Sequence, residues 1–543
     1  MQSNIPTEKL PDEGAGPTLI HPLPELHYPE HVNAAVELLQ PHLEAGHGDD
    51  VAIYFEDDSI TYAELEAKTN RLGNALRDLG VEPGDRVFVR FPNRAEYVVA
   101  CLAVQKIGAI ALPSMKLLRA REIEYVLSDS EASAAVVYDG LLEELLEADA
   151  SADVLEEVVV VEDTGVDHDH HTFSEVTANA SDELDPYDTR RDDLAIMAYT
   201  SGTTGRPKGT VHTHRQVLAS CDTYARYCLQ PTRDDVVSGN PPIAFTYGYG
   251  MLVAFPLRFG ASTAIVEDAE PGDLLEAIER YEVSLLASVP TAYNQMLAGD
   301  NPVGDVDLSS LRLCVSAGEP LPEHTYDRIK EHLGVETTDG IGTTEMFHVF
   351  ISHRADDEMD PSATGFSVPG YECKVVDPET HEEVERGEAG LLLVRGPTGI
   401  TYWDRPEEQA DAVRDGWNIP GDIFVHREDG RFEYQSRHDD LIITGGNNVP
   451  GPEVEGVLEE REEVFESAVI GKPDEERGQI VKAYVVLADG YEPVADLTEN
   501  LQEYVKERIA PYKYPREIEY VDELPKTETG KIQRADLRER EED

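Results

Sequence analysis

Tyr199-Thr-Ser-Gly-Thr-Thr-Gly-Arg-Pro-Lys-Gly209 is the stretch of this chain that decides its fold. A strand-like apolar run, residues 194–198, stands directly before it. Glycine lets a backbone approach a ligand closely, and the hydroxyls, free N–H groups and Lys208 are donors suited to phosphate oxygens. A flexible surface loop would need neither the preceding strand nor Lys208 after Pro207. The stretch therefore predicts a phosphate-gripping loop.

The motifs of three other enzyme classes, which are P-loop NTPases, dinucleotide-binding enzymes and serine hydrolases, do not match this sequence. A Walker loop needs glycine before its lysine and serine or threonine after it, but Pro207 and Gly209 occupy those positions. No G-x-G-x-x-G opens a helix after a strand, as dinucleotide binding requires. There is also no G-x-S-x-G elbow of a serine hydrolase.

Strand–helix–strand units surround the loop. Residues 85–90 alternate like a strand, Asn93 can cap a helix at 95–106 that ends at Gly108, and an apolar run follows at 109–112. Similar strands are expected at 284–288 and 311–316, the latter before a helix at about 322–333 closed by Gly334. This alternation predicts an α/β fold with parallel sheets covered by helices. From about residue 390 the pattern changes to shorter alternating strands.

Composition narrows the possible partners. The 543 residues include 45 lysines and arginines against 109 aspartates and glutamates, a formal net charge of −64. That charge repels nucleic acid and anionic lipid. It also suggests a cytoplasm rich in salt, where screening mutes the self-repulsion. No stretch approaches the roughly 20 apolar residues of a membrane span, and no signal peptide is recognisable, so a cytoplasmic protein is expected.

The five cysteines form no Cys-x-x-Cys pair, which favours a reduced compartment and argues against structural zinc.

Five motifs after the loop carry a family resemblance. They are Ser316-Ala-Gly-Glu-Pro320, Asp339-Gly-Ile-Gly-Thr-Thr-Glu345, Gly421-Asp422, Arg437-His-Asp-Asp440 and Pro525-Lys-Thr-Glu-Thr-Gly-Lys531. In this order they resemble the adenylate-forming superfamily of acyl-CoA synthetases, luciferases and nonribosomal adenylation domains. The resemblance implies an N-terminal AMP-binding domain at 1–436 with mixed sheets and a strand-rich subdomain, a hinge at 437–440, and a small mobile α+β domain at 441–543.

The resemblance also implies roles for single residues around ATP. Lys208, Thr344, Glu345 and Lys531 are the expected catalytic residues, and Glu345 also supplies the oxygen ligand of the Mg²⁺ that ATP carries. Asp422 and Arg437 are expected at the ribose. The other nucleotide- and cofactor-binding residues are Thr200, Ser201, Gly202, Thr203, Thr204 and Gly205 in the loop, Gly318, Glu319 and Pro320 on one side of the adenine, Asp339, Gly340 and Ile341 on the other, and Gly445 and Gly446 for thioester formation.

Lys531 stands in a glycine-marked loop near the C-terminus. A mobile domain could bring its ammonium onto the charge that develops between the carboxylate and the α-phosphate. The resemblance makes Asp439 the hinge residue, about which the small domain rotates between the two half-reactions.

Within the superfamily the sequence is most similar to benzoate–CoA and 2-aminobenzoate–CoA ligases, through residues 115–121, 241–250 and 339–348. The residues implied to line the acid pocket are Ala244, Phe245, Thr246, Tyr247, Gly340, Ile341, His348 and Val349. Flat aromatic and small residues suit a ring. His348 can donate to the substrate or be an ordinary core histidine, and both interpretations stay open here.

The expected reaction consumes a carboxylic acid, ATP and CoA and gives acyl-adenylate and pyrophosphate, then acyl-CoA and AMP. The expected assembly is a monomer or homodimer. The alternatives are an aliphatic acyl-CoA synthetase, a nonribosomal adenylation domain, a luciferase-like oxygenase, and a nucleotide- or acyl-binding relative without catalysis.

Overall fold

The structure is a computed structural model. It describes residues 6–12, 14–161, 164–165, 168–200, 207–267, 269–299, 301–444, 447–474, 477–488, 490–526 and 532–542.

The strands of the described chain are β1 Val51–Phe55, β2 Asp58–Thr61, β3 Arg86–Arg90, β4 Ile110–Ser114, β5 Ala134–Tyr138, β6 Glu157–Val161, β7 His171–Thr172, β8 Leu194–Thr200, β9 Lys208–Thr213, β10 Val236–Gly239, β11 Ser262–Ile265, β12 Leu285–Ser288, β13 Leu313–Ala317, β14 Thr337–Gly342, β15 Val349–Ser352, β16 Phe366–Ser367, β17 Glu372–Val376, β18 Ala389–Arg395, β19 Val413–Arg414, β20 Trp417–Asn418, β21 Asp422–His426, β22 Phe432–Arg437, β23 Ile442–Thr444, β24 Asn447–Val449, β25 Val464–Asp474, β26 Gly478–Leu487 and β27 Glu517–Tyr520.

The α-helices are α1 Ala34–Glu44, α2 Tyr62–Asp78, α3 Ala95–Lys106, α4 Ala120–Ser130, α5 Leu142–Ala152, α6 Phe173–Ala178, α7 His214–Ser220, α8 Thr246–Tyr249, α9 Phe255–Phe259, α10 Pro271–Tyr281, α11 Pro290–Met296, α12 Glu323–Leu333, α13 Pro406–Ala412, α14 Gly451–Glu459, α15 Ala495–Arg508 and α16 Arg534–Glu542. Two π-helical segments, Cys221–Leu229 and Gly250–Ala254, continue α7 and α8.

Two large mixed sheets form the centre of the molecule. One has the order β7-β6-β5-β3-β4-β8-β9, and the other has the order β16-β15-β14-β13-β12-β10-β11-β1-β2. Their inner strands are parallel, but β8 pairs antiparallel with β9, and β14 pairs antiparallel with β15. The parallel order therefore stops in both sheets at the strands that carry the nucleotide motifs.

Helix α3 confirms the prediction of a helix at 95–106 and is buried along almost its whole surface. A helix that is apolar all round belongs in the interior, and α3 packs there between sheet and helices. Asn93 is not its cap, because the N-cap position belongs to Arg94 and shows no side-chain cap bond. Asn93 instead binds another segment of the chain, described below.

Helix α12 follows β13, as expected, and ends where Gly334 adopts φ +74°. A left-handed residue after the last turn is the position glycine occupies at lowest cost. This strand–helix unit ends close to the prediction of 322–333.

Two further sheets follow the large ones. The strands β17 to β22 form an antiparallel sheet, and β23 to β27 form a separate sheet with its own apolar core of α14 and α15 residues. Asp439 lies in the 3₁₀ turn His438–Asp440 between these two sheets. The α/β fold with a strand-rich part and a small α+β part is thus confirmed, whereas the exact domain limits stay predictions.

Across the described residues, no helix is long and apolar enough to cross a membrane.

Candidate active site

The phosphate loop closes an antiparallel hairpin. Strands β8 and β9 pair Thr200 with Lys208 and Tyr199 with Gly209 across the loop. A Walker loop joins a strand to a helix, so the antiparallel pairing of β8 with β9 distinguishes this segment from a Walker loop. Thr200 is buried, and its Oγ1 has no hydrogen-bond partner in the described part of the chain. That orphaned hydroxyl fits a phosphate oxygen as partner.

The predicted loop residues Ser201, Gly202, Thr203, Thr204 and Gly205 lie outside the described residues, as do Gly445, Gly446 and Lys531.

A third extended segment lines the hairpin. The amide of Val211 donates to the Thr401 carbonyl at 3.0 Å, and the amide of Trp403 donates to the Gly209 carbonyl at 2.9 Å. These bonds place Tyr402 beside the hairpin, where its ring centroid lies 5.0 Å from Lys208 Nζ. Sequence reasoning missed Tyr402. The only local signal was an aromatic pair just before the proline that opens α13.

Residues of α4 hold the hairpin where its two strands meet the loop, and Asp129 is the first of them. Its Oδ2 accepts from the Tyr199 hydroxyl at 2.7 Å, and its Oδ1 accepts from Arg405. The Tyr125 hydroxyl donates to the Pro207 carbonyl at 2.9 Å. These bonds fix both ends of the loop to α4, and none of these partners was predicted.

Thr344 and Glu345 lie in a 3₁₀ turn directly after β14. His212 Nε2 lies 2.8 Å from the Thr344 carbonyl oxygen, which ties β9 to this turn. Burial lowers the pKa of His212 to about 4, so the ring is neutral and its N–H is the donor. Glu345 Oε1 accepts from the Tyr402 hydroxyl at 3.2 Å. The structure therefore brings Glu345 and Lys208, two predicted catalytic residues, to the same tyrosine.

Asp422 and Arg437 face each other at paired positions of β21 and β22. Arg437 Nη1 donates to Asp422 Oδ1 at 3.0 Å and to the Pro420 carbonyl at 2.8 Å. The Asp422 charge raises the pKa of Arg437 above its ordinary value. Gly421 adopts φ +86°, and a Cβ there would lie 2.9 Å from Arg437 Nη2. The sequence Gly421-Asp422 thus permits an ion pair at the expected ribose position.

The two predicted adenine-binding groups belong to adjacent strands: residues 318–320 follow β13, and residues 339–341 lie within β14. Strands β13 and β14 are parallel and pair Ala317 with Gly340, so residues 318–320 leave the sheet beside Asp339, Gly340 and Ile341. Carboxyl ends of parallel strands are where ligands of open α/β sheets bind. Burial raises the pKa of Asp339 to about 7. Glu319 Oε2 accepts from Thr291 Oγ1 at 3.0 Å.

The predicted acid pocket has an aromatic wall built around His348. Its ring stacks on Tyr224 with centroids 5.2 Å apart and meets the edge of Phe255 at 4.5 Å. His348 Nε2 lies 3.4 Å from the Tyr247 carbonyl, and His348 is only 2% exposed. Burial lowers its pKa to about 3, so His348 is neutral and supplies no positive charge to a carboxylate.

Small residues allow this wall to close. A Cβ at Gly250 would lie 2.4 Å from His348 Cδ2, and one at Gly340 would lie 2.9 Å from a methyl group of Val349. The remaining predicted pocket residues are Ala244, Phe245, Thr246 and Tyr247 at the start of α8, and Ile341 at the end of β14.

Asn93 holds the chain that leads into this wall. Its Nδ2 donates to the Pro241 carbonyl at 3.1 Å, and its Oδ1 accepts from the Ile243 amide at 2.9 Å. The residue predicted as a helix cap therefore holds the segment that leads into the predicted acid pocket, a role that only tertiary structure reveals.

A parallel-sheet core, a phosphate hairpin and a carboxylate turn at the strand ends define the class of adenylate-forming enzymes. The chain belongs to the AMP-binding enzyme family: the AMP-binding enzyme model matches residues 42–403, and the model of the AMP-binding enzyme C-terminal domain matches residues 453–531.

Among curated proteins, the chain is 38% identical over 95% of its length to a benzoate–CoA ligase of Thauera aromatica, of which it covers 97%. Among solved structures, it is similar to the anthranilate CoA ligase AuaEII in complex with anthranoyl-AMP, with TM-score 0.91 and 34% identity over 96% of this chain and 99% of that one. A benzoate CoA ligase from Burkholderia xenovorans follows with TM-score 0.85 and 33% identity over 93% of this chain and 100% of that one. The family and fold predictions are confirmed.

Proposed function

We propose that this protein is an ATP-dependent aryl-carboxylate–CoA ligase. It converts an aromatic acid and ATP to acyl-adenylate and pyrophosphate, and then transfers the acyl group to CoA with release of AMP. The observation that carries this proposal is the cluster of aromatic rings around His348, which follows in the chain directly after the turn that bears Thr344 and Glu345. The benzoate and anthranilate ligases among the relatives support the same acid class.

The pocket orients the acid by shape. His348 is neutral and buried among rings, so an aromatic acid is held by ring packing and its carboxylate is left to face the phosphate side. Because His348 and Thr344 belong to one short segment, a ring against His348 brings the carboxylate towards the α-phosphate that Thr344 contacts. Such positioning converts a bimolecular attack into an effectively intramolecular one.

The nucleotide is held from three sides. Thr200 and Lys208 donate to its phosphates, Asp339 and Glu319 border the adenine, and the Asp422–Arg437 pair meets the ribose. Lys531 neutralises the charge that develops on the attacked phosphoryl group. Rotation of residues 441–543 about the hinge at 437–440 then replaces Lys531 by the Gly445-Gly446 loop for thioester formation.

A magnesium ion fits this site only together with its nucleotide. Within the described part of the chain, no group of three or more His, Cys, Asp or Glu side chains can hold a metal ion. Mg²⁺ is commonly bound by one or two carboxylates together with substrate phosphates and water, and Glu345 is that carboxylate here. When bound, the ion neutralises charge on the phosphates.

The experiment that tests the function is a screen for pyrophosphate release. Substituted benzoates, cinnamates and straight-chain acids are compared with and without CoA, in high KCl. Benzoates are expected to give the highest kcat/KM, and formation of the thioester is expected to require CoA. A clear preference for straight-chain acids would overturn the aryl assignment, and no pyrophosphate with any acid would overturn the ligase assignment.

We also propose a cytoplasmic, salt-rich setting, which the five free cysteines and the net charge of −64 support. The unfolding temperature is expected to rise between low and molar KCl. An unchanged temperature would contradict the proposal.

A further inference from the structure

Tyr402 contacts both charged residues of the phosphate site. Its hydroxyl donates to Glu345 Oε1 at 3.2 Å, and its ring centroid lies 5.0 Å from Lys208 Nζ. The side chain is buried, and its hydroxyl is the donor in the hydrogen bond to Glu345. One side chain thus binds an anion through its hydroxyl and a cation through its ring.

The two charges are kept apart. Lys208 at the start of β9 and Glu345 in the turn after β14 carry opposite charges that attract each other, and a direct ion pair would turn both side chains away from a nucleotide. Among the described residues, neither Lys208 nor Glu345 lies within ion-pair distance of an oppositely charged side chain, and both instead contact Tyr402. A cation 5.0 Å from a ring centroid is within the range of cation–π attraction, and a hydroxyl bonded to a carboxylate forms a charge-assisted hydrogen bond.

The backbone fixes Tyr402 at this point. Thr210 bridges Tyr402 in an antiparallel pair, and the amide of Tyr402 donates to Gln409 Oε1 at 2.9 Å. The next residue, Trp403, points to the other face, where its Nε1 donates to the Asp129 carbonyl at 3.1 Å. Side chains on both faces therefore hold this short segment against the phosphate hairpin.

We propose that Tyr402 is a positioning residue that orients Glu345 towards the metal ion of MgATP and Lys208 towards its phosphates. This inference rests on the proposed function only in that the site binds MgATP, whichever acid is used. The hydroxyl acts through Glu345 and therefore affects ATP binding that depends on the metal ion. The ring acts through Lys208 and therefore affects ATP binding that persists without the metal ion.

The test measures ATP binding by calorimetry, without any acid, in Mg²⁺ and in EDTA. Tyr402→Phe keeps the ring and removes the hydroxyl, so MgATP is expected to bind about tenfold more weakly while metal-free ATP changes less than about twofold. Tyr402→Leu also removes the ring, and metal-free ATP should then bind about threefold more weakly.

Tyr371→Phe is the matched control. Tyr371 is buried, and its hydroxyl lies 2.9 Å from Thr398 Oγ1, so the same atom is removed at a comparable place away from the phosphate hairpin. Its MgATP affinity is expected to equal that of the wild type. A loss as large as that of Tyr402→Phe would mean that loss of any buried hydroxyl weakens binding, and would overturn the proposal.

A double-mutant cycle separates positioning from general destabilisation. If Tyr402 acts through Glu345, then Tyr402→Phe should cause no further loss of MgATP affinity in a Glu345→Gln background. Additive losses, or equal weakening of MgATP and metal-free ATP, would overturn the assignment. Failure of every acid to release pyrophosphate would remove the proposed function but leave these binding results intact.

Discussion

The nucleotide side and the acid side of the site differ in what holds their side chains in place. On the nucleotide side, charged or polar groups are joined by short directional bonds, such as the 2.8 Å contact of His212 with Thr344 and the 3.0 Å pair of Arg437 with Asp422. On the acid side, rings pack around His348, whose hydrogen-bond contact in the described part of the chain is the long 3.4 Å approach of Nε2 to the Tyr247 carbonyl.

This difference indicates how each side responds to substitution. Charge-assisted bonds fix single atoms, so loss of one charge on the nucleotide side removes stabilisation of the reacting phosphate. Packed rings define a volume, so a change on the acid side alters which acid fits. The predictions below test this division.

The largest effect is expected from Lys531→Ala. Loss of the ammonium removes electrostatic stabilisation of adenylation, and the rate of adenylate formation should fall by about 10²–10³-fold or more. Thioester formation from synthetic acyl-adenylate and CoA should be spared, because that half-reaction follows domain rotation. The two rates are measured separately in single-turnover assays. Equal loss of both would refute the assignment of Lys531.

A smaller and more selective effect is expected from Gly250→Ala. The new Cβ would lie 2.4 Å from His348 Cδ2 and 3.0 Å from Phe255 Cζ, so the wall must shift into the pocket. Overpacking of this kind costs about 1–3 kcal/mol, and the KM for benzoate should rise about tenfold or more while the KM for ATP stays within about twofold.

Gly456→Ala is the control for this substitution. Gly456 lies in α14, and a Cβ there meets nothing within 4 Å. Alanine should therefore leave both KM values unchanged. If Gly250→Ala raised the KM for ATP as much as that for benzoate, the division between the two sides would be wrong.

The elements and site residues that the sequence could predict are those whose position follows from the pattern of neighbouring residues. Glu319 follows a strand that the hydrophobic pattern indicates, and Asp339 lies on the parallel neighbour of that strand, so both residues reach one edge of the sheet. Helix α3 could also be predicted from local sequence, because its twelve successive residues contain no glycine or proline.

The contacts that hold the site could not be predicted in this way. Tyr402 forms a hydrogen bond with Glu345, which lies 57 positions away in the sequence, and Arg405 forms one with Asp129, which lies 276 positions away. Such pairs depend on which distant segments meet in the folded chain, and the periodicity of the sequence does not predict those meetings. Asn93 shows the same limit, since a residue typical of a helix cap instead bonds the segment at 241–243.

The last effect is on stability rather than on rate or substrate binding, and it concerns a property that both sides share. His212 and His348 are buried and neutral, with pKa values lowered to about 4 and about 3, whereas an unfolded histidine titrates near 6.5. Below pH ~6.5 these two residues bind protons in the unfolded chain but not in the native protein, so their contribution to stability should be lost as pH falls from there towards 4. The free energy of unfolding is measured by urea denaturation at pH 7 and pH 5.

His348→Phe isolates the contribution of the acid side to this pH dependence. It removes one titrating ring, so the stability lost between pH 6.5 and 5 should shrink by ~2 kcal/mol, from a slope of about 1.4 kcal/mol per pH unit. Phe255→Leu, in the same wall, should lower stability by a similar amount at both pH values. An unchanged pH slope in His348→Phe would show that His348 is protonated in the folded protein, and a charged ring beside the carboxylate would then make the acid side resemble the nucleotide side.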